Sequence, residues 1–363
     1  MIKKLVLFLA VAFLLSFPSY CYEGDVSEYI PKEMQDKLPE DILENSKEAG
    51  SIINYEKIID ALLGFFKNSL KSVLKNFFTI LSLVIISACF NMLCNSLQSE
   101  GIKRCFSYIT SICFAVVLYK ILDSLWTDMS VLFQDVNSFM NAVTPSITMI
   151  YVLCGNISSA AVNEAGTSIM LTVFQDICYY GIRPILQVCF GFSVVSCMSG
   201  SLNLAPISRF VRSTYTTILI FVISIMSFVM SLQTMLGQSG DSLGIHTVKF
   251  ASSVAIPIVG GALSEATTSI ARGVGMVKTS FGILAVIALA MMVLPTLINL
   301  WMNKLAFNLG CAVCSVFGIE KESELVSSAG ELINFALAIT CAVSVMFILN
   351  IALFSRASVA LGG

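Results

Sequence analysis

Six runs of apolar residues, 77–97, 105–122, 182–199, 215–236, 281–300 and 333–354, lie at or near the roughly 20 residues that a helix needs to cross the hydrocarbon core of a bilayer. A chain that must bury six such runs has few options. In lipid every backbone N–H and C=O has to be satisfied within its own segment, so the runs are predicted to be helices. Four shorter apolar segments, near 143–154, 166–181, 248–263 and 304–317, do not reach that length cleanly, because Pro145, Asp176, Pro257 and Gly310 fall inside them. The predicted fold class is an all-α polytopic membrane protein with about six to eight transmembrane helices plus short broken or re-entrant apolar segments.

Composition agrees. Hydrophobic residues make up 56% of the chain and charged residues 12%, against about 25% charged in an ordinary soluble domain. The 21 Lys and Arg are spread thinly and the formal net charge is −2. A phosphate-binding surface requires clustered cations, so no nucleic-acid partner is predicted and the lipid bilayer is.

The N-terminus carries Lys3 and Lys4, an apolar run Leu5–Leu15, and then Ser16, Pro18, Ser19, Tyr20 and Cys21. This is the basic–apolar–small order of a secretory signal, read as cleaved near Cys21. An uncleaved anchor is the alternative, and Tyr20 argues against lipidation at Cys21. Residues 22–76 form an extracytoplasmic polar segment followed by an amphipathic helix. In the latter Ile58, Ile59, Leu62, Leu63, Phe66, Leu70, Val73 and Leu74 recur at helical spacing, with Lys57, Lys67, Lys71 and Lys75 largely off that face. Lying on the lipid surface, binding a partner helix and packing on its own membrane domain are all open to it.

Orientation follows from the cations. Residues from Ile121 to Ile182 contain no Lys or Arg but include Asp123, Asp128, Asp135, Glu164 and Asp176, which places this stretch outside. Lys103 with Arg104, Arg209 with Arg212, and Lys304 with Lys321 then fall inside. The membrane domain, 77–363, becomes three hairpins, 77–122, 182–236 and 281–354, joined by outer connections 123–181 and 237–280.

Each connection holds one interrupted apolar segment and one related hexapeptide, Glu164–Ile169 (EAGTSI) and Glu265–Ile270 (EATTSI). Interrupted helices at corresponding places of internal repeats mark the path or site in transporters. Charged residues at membrane depth cost ~2.5–3.5 kcal/mol on insertion scales and usually face a cavity or a partner. The candidate pore or assembly residues are accordingly Pro145, Glu164, Asp176, Pro257, Gly260, Gly261, Glu265 and Arg272. Small residues at helical spacing, Gly155 with Ser159 and Ala160, and Gly261 with Ser264 and Ala271, suit close helix approach within one chain or assembly into a homo-oligomer.

Catalytic constellations are missing. His246 is the single histidine, so no HExxH site can be built. Gly237–Asp241 misses the GxSxG elbow at its last position, and Val277 stands where a phosphate-binding loop needs Gly before Lys278. Cys311–Ala–Val–Cys314 has CxxC spacing without further ligands. Most of the twelve cysteines sit in apolar runs, where Cys behaves as a small hydrophobe. The prediction is no enzyme, no cofactor and no metal.

A cleavable signal, an outer amphipathic segment and a long polytopic region containing FASSVAIPIVGGALSEATTSI resemble the stage III sporulation protein AE family of endospore-forming bacteria. The likeness covers about residues 50 to 360 and is most specific over Phe250–Val274, with its Phe–Pro–Val–Gly–Gly pattern and following acidic-Ala-Thr stretch. The resemblance implies a multipass subunit of the apparatus joining mother cell and forespore. It further implies a place in the mother-cell-derived membrane surrounding the forespore, with other stage III membrane and ring proteins and a partner ATPase as partners. It carries no catalytic residues. A stand-alone secondary transporter with its site at the broken segments, and a membrane scaffold without a pore, are the competing readings.

Overall fold

A computed structural model describes the backbone over residues 55–95, 100–153, 156–199, 204–255 and 260–356, and side-chain surroundings over 63–93, 101–153, 156–198, 204–232 and 280–352. The expected signal segment 1–21, the polar stretch up to residue 54 and Pro257 lie outside the described residues.

The described chain is helical throughout: α1 Tyr55–Asn95, α2 Glu100–Leu153, α3 Ile157–Phe174, a π-helical segment Gln175–Gly181, α4 Ile182–Ser199, α5 Ala205–Ala255, α6 Gly260–Val316 and α7 Glu320–Arg356. Six helical stretches are long and apolar enough to cross a membrane, from Leu63–Leu93 to Glu320–Ala352, with α3, the π segment and α4 counting as one rod. This is an all-α polytopic membrane protein.

The helices are longer than the apolar runs alone require. With its 54 residues α2 extends about 80 Å, more than twice the ~30 Å hydrocarbon core. Of the breaks expected from the sequence, those at Pro145 and Gly310 turn out differently. Helix α2 runs through Pro145 without interruption. Pro145 is exposed, and it takes the hydrogen bond to the carbonyl four residues back out of the helix. Gly310 sits inside α6, where an added Cβ would come within 2.7 Å of the Ile80 Cγ2. It is a point of close approach to α1 rather than an interruption. Asp176 does mark an irregularity: it belongs to the π-helical segment, whose extra residue per turn shifts the register between α3 and α4. The apolar segment 248–263 divides between the end of α5 at Ala255 and the start of α6 at Gly260. The amphipathic stretch before residue 76 and the following span are one helix, α1, and the polar 237–247 region continues α5.

Helices α6 and α7 form the centre. They pack most extensively on each other, and α1, α2, α3–α4 and α5 surround them. Of the apolar window of α7, 72% is buried, against 11% for α5. Small residues such as Ala285, Ala288, Ala329 and Ala336 let the central pair approach, and Phe133, Phe174 and Phe347 stack edge to face across α2, α3 and α7. The turn between α6 and α7 needs Gly318 at φ 68°. Its N–H bonds to the Ser315 carbonyl and that of Ile319 to the Cys314 carbonyl, a Schellman closure that caps α6.

Candidate functional site

The ends of α1, α4 and α6 and the starts of α2, α5 and α7 converge at one end of the bundle, bringing Lys103, Arg104, Arg209, Arg212 and Lys321 together around two clefts. One, of about 580 Å³, lies between α1, α2 and the start of α7 and is lined by Phe90, Lys103, Arg104, Tyr108 and Lys321 among others. Its cations are partly engaged: Lys321 Nζ donates to Ser107 Oγ at 3.4 Å, while the buried Glu322 accepts from Ser111.

The second cleft, of about 550 Å³, is lined mainly by Ser, Glu and Arg residues. Helix α7 contributes Glu320, Ser323, Glu324, Ser327, Ser328 and Glu331, which recur at helical spacing and therefore share one face. Helix α5 opposes it with Ser208, Arg209 and Arg212, α4 adds Ser193 and Ser196, and α6 adds Cys311 and Ser315. Arg212 Nη2 donates to Glu331 Oε2 at 2.7 Å and closes the cleft away from the basic end. The Arg212 Nε is buried without a hydrogen-bond partner. Nearer the basic end Arg209 and Glu324 face the cleft with no hydrogen bond or ion pair among the described residues. Ser315 and Ser323 bond to each other at 3.1 Å, and Cys311 Sγ lies 3.4 Å from Ser323 Oγ. Cys311 and the buried Cys314 are both free thiols.

This polar cleft sits within an apolar collar. Over the same part of the bundle α1 exposes Ile85, Ile86 and Phe90, α2 exposes Ile109, Ile112 and Val116, and α5 exposes Ile207 and Phe210. In a membrane protein, charged residues that line a cleft rather than face lipid are the usual signature of a site.

Away from the basic end a polar chain links the outer helices to the centre. Asn76 Nδ2 donates to Asn303 Oδ1 at 2.8 Å, Asn303 Nδ2 donates to Asn299 Oδ1 at 2.9 Å, and Asn299 reaches Asp128 at 3.4 Å. Arg183 pairs with Asp123 at 2.8 Å instead of extending alone to an interface. Among the residues chosen from sequence, Pro145, Glu164 and Asp176 are exposed on α2, α3 and the π segment, and none lines either cleft. Gly260, Gly261, Glu265 and Arg272 belong to the first turns of α6, with side chains outside the described residues, as Pro257 is altogether. The cleft was legible nonetheless: the Glu/Ser face of 320–331 has a helical period, and Arg209 and Arg212, which the sequence reading used only for orientation, are one turn apart.

Among the described residues no three His, Cys, Asp or Glu side chains gather in a metal-holding group. The bundle and its cleft thus define a polytopic helical membrane protein with a polar site at its basic end. Its family is set by sequence: the stage III sporulation protein AE model matches residues 38–358, and the chain belongs to that family. It is a sporulation protein. No curated protein and no solved structure matches it.

Proposed function

We propose that the protein is a non-catalytic multipass subunit of a channel or secretion-like complex linking mother cell and forespore, seated in the mother-cell-derived membrane around the forespore. It would work with other stage III membrane and ring proteins and a partner ATPase. The observation that carries this reading, beside the family, is a change of surface along α2 and the α3–α4 rod. From Tyr108 to Tyr119 the exposed large side chains of α2 are apolar or aromatic, whereas from Lys120 to Asn141 its exposed positions include Ser124, Thr127, Asp128, Gln134 and Ser138. The rod repeats the pattern in part, with Val188 and Val195 exposed on α4, and with Glu164, Ser168, Thr172, Gln175 and Asp176 exposed on α3 and the π segment beside Ile157, Ile169 and Tyr180. An apolar half belongs in lipid. A polar half belongs in water, either as a stem reaching into the space between the two membranes, where ring partners dock, or as the wall of a lumen shared by several copies.

Single cysteines at Thr127, Ser138 and Thr172 test this in sporulating cells with a membrane-impermeant maleimide, in a background where the native cysteines are replaced. Labelling at all three, with protection when the partner operon products are co-expressed, is the expected result. No reaction at any of them in the isolated protein would place the polar half in a protein core or lipid and end the reading. A stand-alone transporter is the second reading, favoured by the basic-end cleft. Uptake of a solute by proteoliposomes holding this chain alone would establish it over the first.

A further inference from the structure

We propose that the cleft between α4, α5 and α7 binds a small zwitterion, with the anionic group of the ligand on Arg209 and its ammonium on Glu324. The inference goes beyond membership of a complex and does not depend on it.

The geometry starts from the closed pair. Helices α5 and α7 both begin at the basic end, so they run in the same direction, and Arg212–Glu331 fixes their register. Arg209 lies three residues before Arg212, and Glu324 seven before Glu331. At 1.5 Å per residue these offsets are about 4.5 Å and about 10.5 Å, which leaves the guanidinium and the carboxylate staggered by about 6 Å along the bundle. The stagger keeps them from repeating the contact made one turn farther in. Each is left facing a cleft of about 550 Å³, a size usual for small-molecule sites.

A ligand with one charge would engage one wall and leave the opposite charge of the other wall without a partner. A ligand holding both charges a few ångströms apart bridges the stagger. Hydroxyls line the space between: Ser327 and Ser328 on α7 face it with side chains that make no hydrogen bond among the described residues. They can donate to a carboxylate or phosphate and accept from an ammonium. Glu320 at the mouth adds a second acceptor for the cation, and the unpartnered Arg212 Nε a donor at the inner end. Two sources share this chemistry, a free α-amino acid and the phosphoethanolamine headgroup of a lipid.

The test uses the full chain in nanodiscs of phosphatidylglycerol, which lack a zwitterionic lipid. Binding of radiolabelled alanine is measured, with acetate, methylamine and glycerophosphoethanolamine as competitors. Saturable binding that acetate and methylamine do not displace is expected. Arg209→Gln and Glu324→Gln should each weaken it by roughly tenfold or more, since each leaves one ligand charge without its partner. Both side chains are exposed in the cleft, and an unchanged elution volume and helical circular dichroism show that the variants fold. Arg209→Lys, which keeps the charge, should retain part of the affinity. If alanine fails but labelled glycerophosphoethanolamine binds with the same dependence on both residues, the ligand is the headgroup. Absence of saturable binding by either probe to the wild type, displacement by either single-charge competitor, or affinity unchanged in both Gln variants overturns the proposal. Co-purification with sporulation partners is unaffected by any of these outcomes, so the channel reading stands or falls separately.

Discussion

Arg183 and Asp123 form a 2.8 Å ion pair that ties α4 to α2 where the outer surface of both changes from apolar to polar. Tyr119 accepts a hydrogen bond from Gln187 one turn toward the basic end, and Lys120 is exposed beside it. A cluster of Tyr, Lys and Arg at a fixed depth is what a membrane–water interface selects. Both members of the pair are more than a third exposed, so its net contribution is small, about 0.2–1 kcal/mol. Thermal unfolding in detergent should show a modest loss for Arg183→Leu and for Asp123→Leu. The double variant should lose less than the sum, and high salt should shrink the coupling.

Gly310 tests the seam between α1 and α6. A methyl there meets the Ile80 side chain at 2.7 Å, so that side chain or one of the helices must shift. Gly310→Ala should cost about 1–3 kcal/mol by overpacking. Pairing it with Ile80→Ala, which vacates the space, should recover part of the loss, and a double-mutant cycle on melting temperature reads that coupling.

Asn303 bridges Asn76 on α1 to Asn299 within α6. Interhelical hydrogen bonds in membranes average about 0.6 kcal/mol, with a maximum near ~1.7. Asn303→Leu should therefore destabilise modestly and, more specifically, loosen α1. The readout is faster cross-linking or proteolysis at α1 with the α6–α7 pair still protected.

Trp126 is fully buried against the core, and its indole Nε1 has no hydrogen-bond partner among the described residues. Truncation to Ala should cost roughly 3–5 kcal/mol through the cavity it leaves. Trp126→Phe removes the unsatisfied donor along with one ring and should cost much less. Comparable losses for the two variants would mean that the indole N–H is engaged in the folded protein.

The helical character and the apolar runs were legible because backbone satisfaction in lipid leaves no other choice for such segments. Of the cations expected on one side, Lys103, Arg104, Arg209, Arg212 and Lys321 gather at one end of the bundle, whereas Lys304 lies within α6 and donates to Asn334 Oδ1 on α7 at 2.6 Å. Pro145 misled because its position in the sequence does not reveal that it is exposed on a helix held by neighbours on its other side. The choice of Glu164 and Asp176 rested on the cost of charge at membrane depth, and both turn out exposed on a surface that is polar over much of its length.

What the sequence alone determined is the class, six stretches able to span a membrane, and the family, since each depends on local composition. What the tertiary structure decided is which apolar runs face lipid and which face protein. The windows of α6 and α7 are the most apolar, with mean hydropathies of 2.6 and 2.4, and they are also the most buried. Lipid and protein core ask the same thing of a side chain, so hydropathy cannot separate them. Only packing shows that this pair forms the centre and that the Glu/Ser face of α7 meets the arginines of α5 across a cleft.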